Sequence, residues 1–224
     1  MKLQATEIIS KVDAQGYCVF DLSQTAKKHL ESADLSSLDD GFHINNSSHY
    51  ELISQIEEVS EIIEAVKSIT LQNKIDWNTI NVTRVVKQKS SEKYRTHFDS
   101  HLYTLVVPQK TSNLEEQFKG QLYLAPNLRK QPKFDLVNVL QKIMAFRWKG
   151  EGGFNKLKNL DKIKVFDLQV GQAILFNGSR CLHGNLANES DATRITLITH
   201  MADPFPNGIG ELVRRFRKAT GLRK

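Results

Sequence analysis

The order of apolar and polar positions divides this chain into a helical first third and a strand-rich remainder. Residues 2–12 place Leu3, Ile8, Ile9 and Val12 on one helical face. Gln15-Gly16 breaks that helix, and Tyr17 to Phe20 read as a short buried strand. Ser23 stands where an N-cap belongs, ahead of a second helix over 24–32. Residues 36–48, rich in Ser, Asp, Asn and Gly, read as a loop. A long amphipathic helix over 50–69 then carries Leu52, Ile53, Ile56, Val59, Ile62, Ile63 and Val66 in one stripe, suited to buttressing a sheet.

From Ile75 onward the period changes. Residues 80–86 alternate apolar and polar, and residues 94–107, mostly β-branched or aromatic, read as a strand ended by Pro108. A polar loop over 109–119 leads to a strand over 120–125. Residues 134–146, with Leu136, Val137, Leu140, Ile143 and Met144, predict an inserted helix, and Gly150-Glu-Gly-Gly153 reads as a flexible hinge or lid. Strands over 164–166, 172–176 and 194–199 follow. Helices first and then many short strands predict an all-β core, a double-sheet jelly roll (double-stranded β-helix), with supporting N-terminal helices and one inserted helix. We expect one domain over 1–224: helical support in 1–74, the jelly-roll core in 75–202, and a basic C-terminal helix in 203–224.

Composition changes this picture little. The 224 residues are 40% hydrophobic and 25% charged, the balance of an ordinary soluble protein, with no apolar run long enough to span a bilayer. The first residues lack the apolar core of a signal peptide, and two cysteines, Cys18 and Cys181, make no disulfide framework, so a cytoplasmic setting is expected. The formal charge of +6 owes much to Arg214, Arg215, Arg217, Lys218, Arg223 and Lys224. These form either a solvated basic face or a contact with an anionic substrate, nucleic acid or membrane surface, and no nucleic-acid motif accompanies them.

The chemistry centres on His97-Phe98-Asp99. On a strand, residues two apart share a face, so an imidazole and a carboxylate would aim at one point, as in two-thirds of a 2-His-1-carboxylate site for non-haem iron. The same spacing also occurs in plain structural pairs. His183, between Leu182 and Gly184, is the candidate second histidine, although a turn histidine would look the same. Arg194 and Thr196 share a face of the last strand and suit a bound carboxylate; alternatively Arg194 pairs with Glu189 or Asp191 and Thr196 reflects β-propensity. Tyr94 either faces the pocket or packs as an ordinary aromatic. His101 shares the face of His97 and reads as a supporting or core residue rather than a ligand. His200 reads as a barrel-end residue, His29, His43 and His49 as surface, and Cys181 as a small buried residue near the site. Arg84, Lys87, Lys89 and Arg95 are either solvated lysines and arginines of a strand edge or a positive field favouring an acidic substrate. Trp148, beside the glycines, is a candidate to close over substrate.

In order along the chain, Tyr94-Arg-Thr-His97-Phe98-Asp99, Gly120-Gln-Leu-Tyr, Gly171-Gln-Ala-Ile-Leu-Phe, Leu182-His183-Gly184 and Arg194-Ile-Thr196 resemble the Fe(II)/2-oxoglutarate-dependent oxygenases. The likeness is to the prolyl-hydroxylase-like and phytanoyl-CoA-hydroxylase-like branch, and Gln15 to Phe20 resembles its short opening strand. The resemblance covers residues 75–202 well and the N-terminal third only loosely. It implies a metal held by His97, Asp99 and His183, and 2-oxoglutarate whose distal carboxylate pairs with Arg194, with Thr196 and Tyr94 beside it. It also implies O2 as oxidant, succinate and CO2 as co-products, and ascorbate as a useful reductant. Asp99 stands where halogenating relatives carry a small residue, which favours hydroxylation or a related oxidation. The expected function is hydroxylation of a small molecule, a free amino acid or natural-product intermediate. The alternatives are a hydroxylase of protein or peptide side chains, and an inactive jelly-roll binding protein. The second arginine of the Arg-x-Asn-x-Thr-x-Arg signature of nucleic-acid repair relatives has no match after Arg194.

Overall fold

A computed structural model describes residues 4–45, 47–87, 93–111, 119–188, 193–206 and 208. The N-terminal elements are α1 (Ala5–Gln15), β1 (Tyr17–Asp21), α2 (Gln24–Ser32), β2 (Gly41–Ile44), α3 (Ser47–Ser54) and α4 (Glu57–Gln72). Then come β3 (Thr79–Val86), β4 (Tyr103–Lys110), β5 (Leu122–Ala125), α5 (Asp135–Met144), a 3-10 turn (Ala145–Trp148) and α6 (Gly150–Asn159). Strands β6 (Lys164–Phe166), β7 (Gln172–Asn177), β8 (Leu182–Asn185) and β9 (Arg194–Met201) complete the described chain.

Among the described residues the strands form two antiparallel sheets. The larger has six strands in the order β1-β7-β4-β9-β3-β2, and the smaller has three, β6-β5-β8. The period-two alternation of strands gives the larger sheet two different faces. Val85, Leu105, Val107, Leu175, Ile195 and Leu197 point to α1, α2 and α4, where Val12, Leu30, Val59, Ile62 and Val66 complete the main core. Arg84, Thr104, Arg194, Thr196 and His200, one position out of phase, line a cavity on the opposite face. Val106, Ile174 and Phe176 on that face pack with Leu122 and Leu124 of the smaller sheet. The jelly-roll expectation therefore holds, with helices on one side and a cavity between the sheets.

Several local expectations are corrected. The strand expected over 94–107 begins only at Tyr103, and Pro108 lies within it, opposite Thr196, where the register with β9 slips. An irregularity of this kind is where a sheet accepts a residue with no N–H to give. The helix expected over 50–69 is two helices broken before Glu57; Ile53, Ile56 and Val59 are all buried, so the apolar stripe runs through the break and conceals it. The loop over 36–48 contains β2 and the start of α3. The glycines at 150–153 open helix α6 instead of forming a hinge. A side chain at Gly153 would run into the Trp148 backbone, so only glycine lets the two turns touch. The expected basic helix over 203–224 lies outside the described residues except 203–206 and 208.

Candidate metal centre and cavity

Residues 93–102 are irregular, and backbone hydrogen bonds pin them to the sheets, three of the attachments lying at or beside the site. Tyr94 N donates to Asn185 O at 2.7 Å; His97 and His183 form an isolated antiparallel bridge; Asp99 N donates to Gly178 O at 2.9 Å. His97 and Asp99 thus reach a common point from a strap pinned to β8 and to the β7–β8 turn, not from a continuous strand. Gly178 is required there, because a Cβ would stand 2.6 Å from both Asp99 Oδ2 and Thr104 Oγ1.

His97, Asp99 and His183 each offer one ligand atom, and these atoms lie within 4.8 Å of one another. His97 Nε2 is 3.4 Å from Asp99 Oδ1, and His183 Nε2 is 3.4 Å from Asp99 Oδ2. The two Nδ1 atoms face carbonyl oxygens, Arg95 O at 2.9 Å and Cys181 O at 3.1 Å. A carbonyl only accepts, so each Nδ1 carries the proton and each Nε2 turns a lone pair to the centre. Two neutral imidazoles and one carboxylate converging in this way fit a divalent metal such as Fe(II).

Burial alone would raise the Asp99 pKa, but the His183 and His200 imidazoles outweigh it and hold the carboxyl well below the ordinary range. Burial pushes His183 down, and Asp99 more than offsets this, leaving its pKa raised. Asp99 therefore stands as a carboxylate at the centre of the cluster, while burial and the neighbouring His183 push the His97 imidazole down. Thr104 Oγ1 donates to Asp99 Oδ2 at 2.6 Å and lies 3.1 Å from His200 Nδ1. His101 stacks on His200, ring centroids 5.3 Å apart, as a supporting residue. Cys181 donates its thiol to Gly16 O at 3.3 Å and belongs to the core, as expected.

The cavity beside this cluster has a volume of about 880 Å³. Arg194 and Thr196 line it from β9, and both are buried. The Arg194 Nη1 donates to Gly120 O, while its buried Nε has no hydrogen-bond partner among the described residues. Burial and the neighbouring Arg84 push its pKa down to about 10, so the guanidinium remains charged at neutral pH. Glu189 and Asp191, the alternative partners considered for Arg194, lie outside the described residues. Tyr94 is not among the cavity residues: its backbone is left-handed, φ 51°, and its ring packs on Phe154 at 5.5 Å.

Sequence reading left one feature open and missed three. Of the two places weighed for Arg84, a strand edge and the mouth of the site, the structure gives the second: it is buried in the cavity wall, directly opposite Thr196 and donating to Asn185 Oδ1. Asn185, two beyond His183 on the same strand, lines the cavity and donates to Gly120 O at 2.9 Å; the His-x-Asn spacing was its signal. Thr104 and His200 support Asp99 across β4 and β9. His49, expected at the surface, is fully buried between Thr83 Oγ1 at 3.3 Å and Thr199 Oγ1 at 3.4 Å.

No protein-family model matches the sequence, and no curated protein resembles it; the likeness is to solved structures. An α-ketoglutarate-dependent carbocyclase, SnoK, from nogalamycin biosynthesis superposes with a TM-score of 0.51 at 15% identity, covering 91% of this chain and 87% of its own. A Pseudomonas putida prolyl-4-hydroxylase gives 0.52 at 11% identity, with 89% and 98% covered. EctD from S. alaskensis, solved with bound Fe, gives 0.58 at 11% identity, with 92% and 78% covered. The chain thus has the jelly-roll fold of the iron- and 2-oxoglutarate-dependent oxygenases, and at these identities the likeness is one of fold.

Proposed function

We propose that the protein is an Fe(II)- and 2-oxoglutarate-dependent dioxygenase that hydroxylates a C–H bond of a small molecule. The observation that carries this is the convergence of His97, Asp99 and His183 beside a cavity whose wall holds the buried cation Arg194. Bound iron would supply the redox chemistry that couples decarboxylation of 2-oxoglutarate, with O2, to oxidation of a substrate C–H bond, leaving succinate and CO2. The residues of this chain do the positioning. Nε2 of His97 and of His183 and a carboxylate oxygen of Asp99 would hold the metal. Thr104 fixes the Asp99 carboxylate by its hydrogen bond to Oδ2. Arg194, with Thr196 beside it, pairs with the distal carboxylate of the co-substrate; its buried Nε supports this role because it has a donor to give. Tyr94 acts through packing.

The substrate reading rests on the cavity. Its volume falls within the range of small-molecule sites, roughly 300–1,000 Å³. Phe42, Ile44, Val82 and Val106 give it an apolar wall, and Arg84, Arg95 and Lys149 add positive charge, while no Asp or Glu occurs among the described lining residues. A small acid with an apolar body, such as an amino-acid-like or natural-product carboxylate, suits that lining. Purified protein supplied with Fe(II), 2-oxoglutarate, ascorbate and a panel of such acids should form succinate with the right member. Equal succinate from His97→Ala would contradict the metal assignment.

A further inference from the structure

Helix α5 is built inside out. Its polar residues face the protein: the buried Asn138 and Gln141 accept from the Arg129 guanidinium at 3.0 and 3.1 Å, and Lys142 Nζ donates to Ser100 Oγ at 2.7 Å. The opposite stripe points outward, with Leu136, Leu140, Ile143 and Met144 each more than half exposed. Phe134 before the helix and Phe146 after it are 69% and 56% exposed. An amphipathic helix normally turns this stripe to the core. A contiguous exposed apolar patch of this kind marks a surface that something covers.

Charge identifies the occupant. Residues 126–166 contain ten Lys or Arg and three Asp or Glu, an excess larger than the +6 of the whole chain. Lys130, Lys133, Arg147 and Lys149 flank the ridge and are exposed. A second copy would bring two strongly basic surfaces together, which Coulomb repulsion opposes. The exposed apolar positions of the ridge, Phe134, Leu136, Leu140, Ile143, Met144 and Phe146, are aliphatic or aromatic and carry no hydrogen-bonding group to select a particular protein. We propose that the ridge from Phe134 to Phe146 docks on an anionic lipid bilayer, its side chains among the upper acyl chains and its lysines and arginines at the headgroup phosphates. Apolar burial and electrostatic attraction then act together, as in interfacial helices. Lys149 also lines the cavity, and Lys142 is bonded to the residue after Asp99, so docking sets the cavity wall beside the membrane surface.

The test uses the full chain and needs no enzyme activity, so its outcome is separate from the oxygenase reading. Protein is sedimented with vesicles of phosphatidylcholine alone or mixed with phosphatidylglycerol. Binding to the mixed vesicles is expected, weaker in high salt, and lower by about tenfold or more in Leu140→Glu/Ile143→Glu. The exposed positions of these two residues should leave the melting temperature unchanged. No binding to the anionic vesicles, or equal binding of the variant, overturns the proposal. Two further results would also overturn it: a parent dimer that the variant dissociates, which places a second copy on the ridge, and retention on polyglutamate without vesicle binding, which indicates an acidic protein.

Discussion

His97 and His183 exchange both of their backbone hydrogen bonds, His97 N to His183 O at 2.9 Å and His183 N to His97 O at 3.0 Å. The two imidazoles, 4.4 Å apart at their centroids, are therefore set by their own main chains and not by side-chain packing alone. Preorganisation of this kind means that metal binding does not have to order a loop. Gly178 anchors the third ligand in the same way, by accepting from Asp99 N. Gly178→Ala forces a methyl into the space of Asp99 Oδ2 and Thr104 Oγ1. Iron affinity is expected to fall about tenfold or more, with a loss of about 1–3 kcal/mol in stability from overpacking. Anaerobic iron titration and urea unfolding of the variant check both.

Thr104→Val keeps the shape of the side chain and removes the hydroxyl that donates to Asp99 Oδ2. Freed of that bond, the carboxylate can rotate away from His183. Groups that orient a ligand in this way are worth about 10–100-fold in metal affinity. Iron affinity should fall by that order while the circular dichroism spectrum remains that of the parent. Undiminished affinity would show that the hydroxyl positions nothing.

Arg194→Lys retains the charge but not the planar fork. The KM for 2-oxoglutarate should rise about tenfold or more, as expected for the loss of one charge-assisted hydrogen bond. Binding of Fe(II) alone should not change. A variant that lost iron as well would place Arg194 in the structural framework.

Burial pushes the His49 imidazole down to about 4 from its ordinary 6.5. Between those values the unfolded chain holds a proton that the folded chain refuses, so stability falls as the pH drops from about 6.5 toward 4. Above that window the group contributes no pH dependence. The full loss is on the order of 3 kcal/mol. Urea midpoints followed across this range should fall for the parent and change less for His49→Gln, which removes the titrating group.

Tyr94→Phe should leave succinate formation intact, because the ring packs on Phe154 and lies outside the cavity lining. Tyr94→Ala should cost about 3–5 kcal/mol through the void it leaves, a range typical of buried aromatic truncations. A selective rise in the KM for 2-oxoglutarate in Tyr94→Phe would return the phenol to the co-substrate.

The sequence pointed to the three residues that come together as a candidate metal cluster, and to the jelly-roll class, but not to the local backbone that carries the cluster. The His97-x-Asp99 spacing, with His183 and Arg194 in order, was legible because each residue type has a limited chemistry. The strand assigned to that spacing was wrong: local β-propensity over 94–107 does not reveal that Tyr94 is left-handed or that the segment before β4 bonds to β8 at Tyr94 and His97 instead of along a continuous ladder. Arg84 could be read as an edge residue or as part of the mouth of the site, because nothing local shows that β2 covers β3. His49 looked exposed because the Ser- and Asn-rich stretch before it hides the start of α3, and its partners Thr83 and Thr199 are distant in sequence. Periodicity identified the inserted helix by its apolar stripe, but a stripe carries no direction, and here it faces out.

The most direct measurement is anaerobic equilibrium dialysis of Fe(II) against the parent and His183→Ala, with and without 2-oxoglutarate. The parent should hold one iron per chain, more tightly when 2-oxoglutarate is present, and the variant should bind about 100-fold more weakly, or not at all. Equal iron affinity in the two proteins would contradict a metal held by His97, Asp99 and His183.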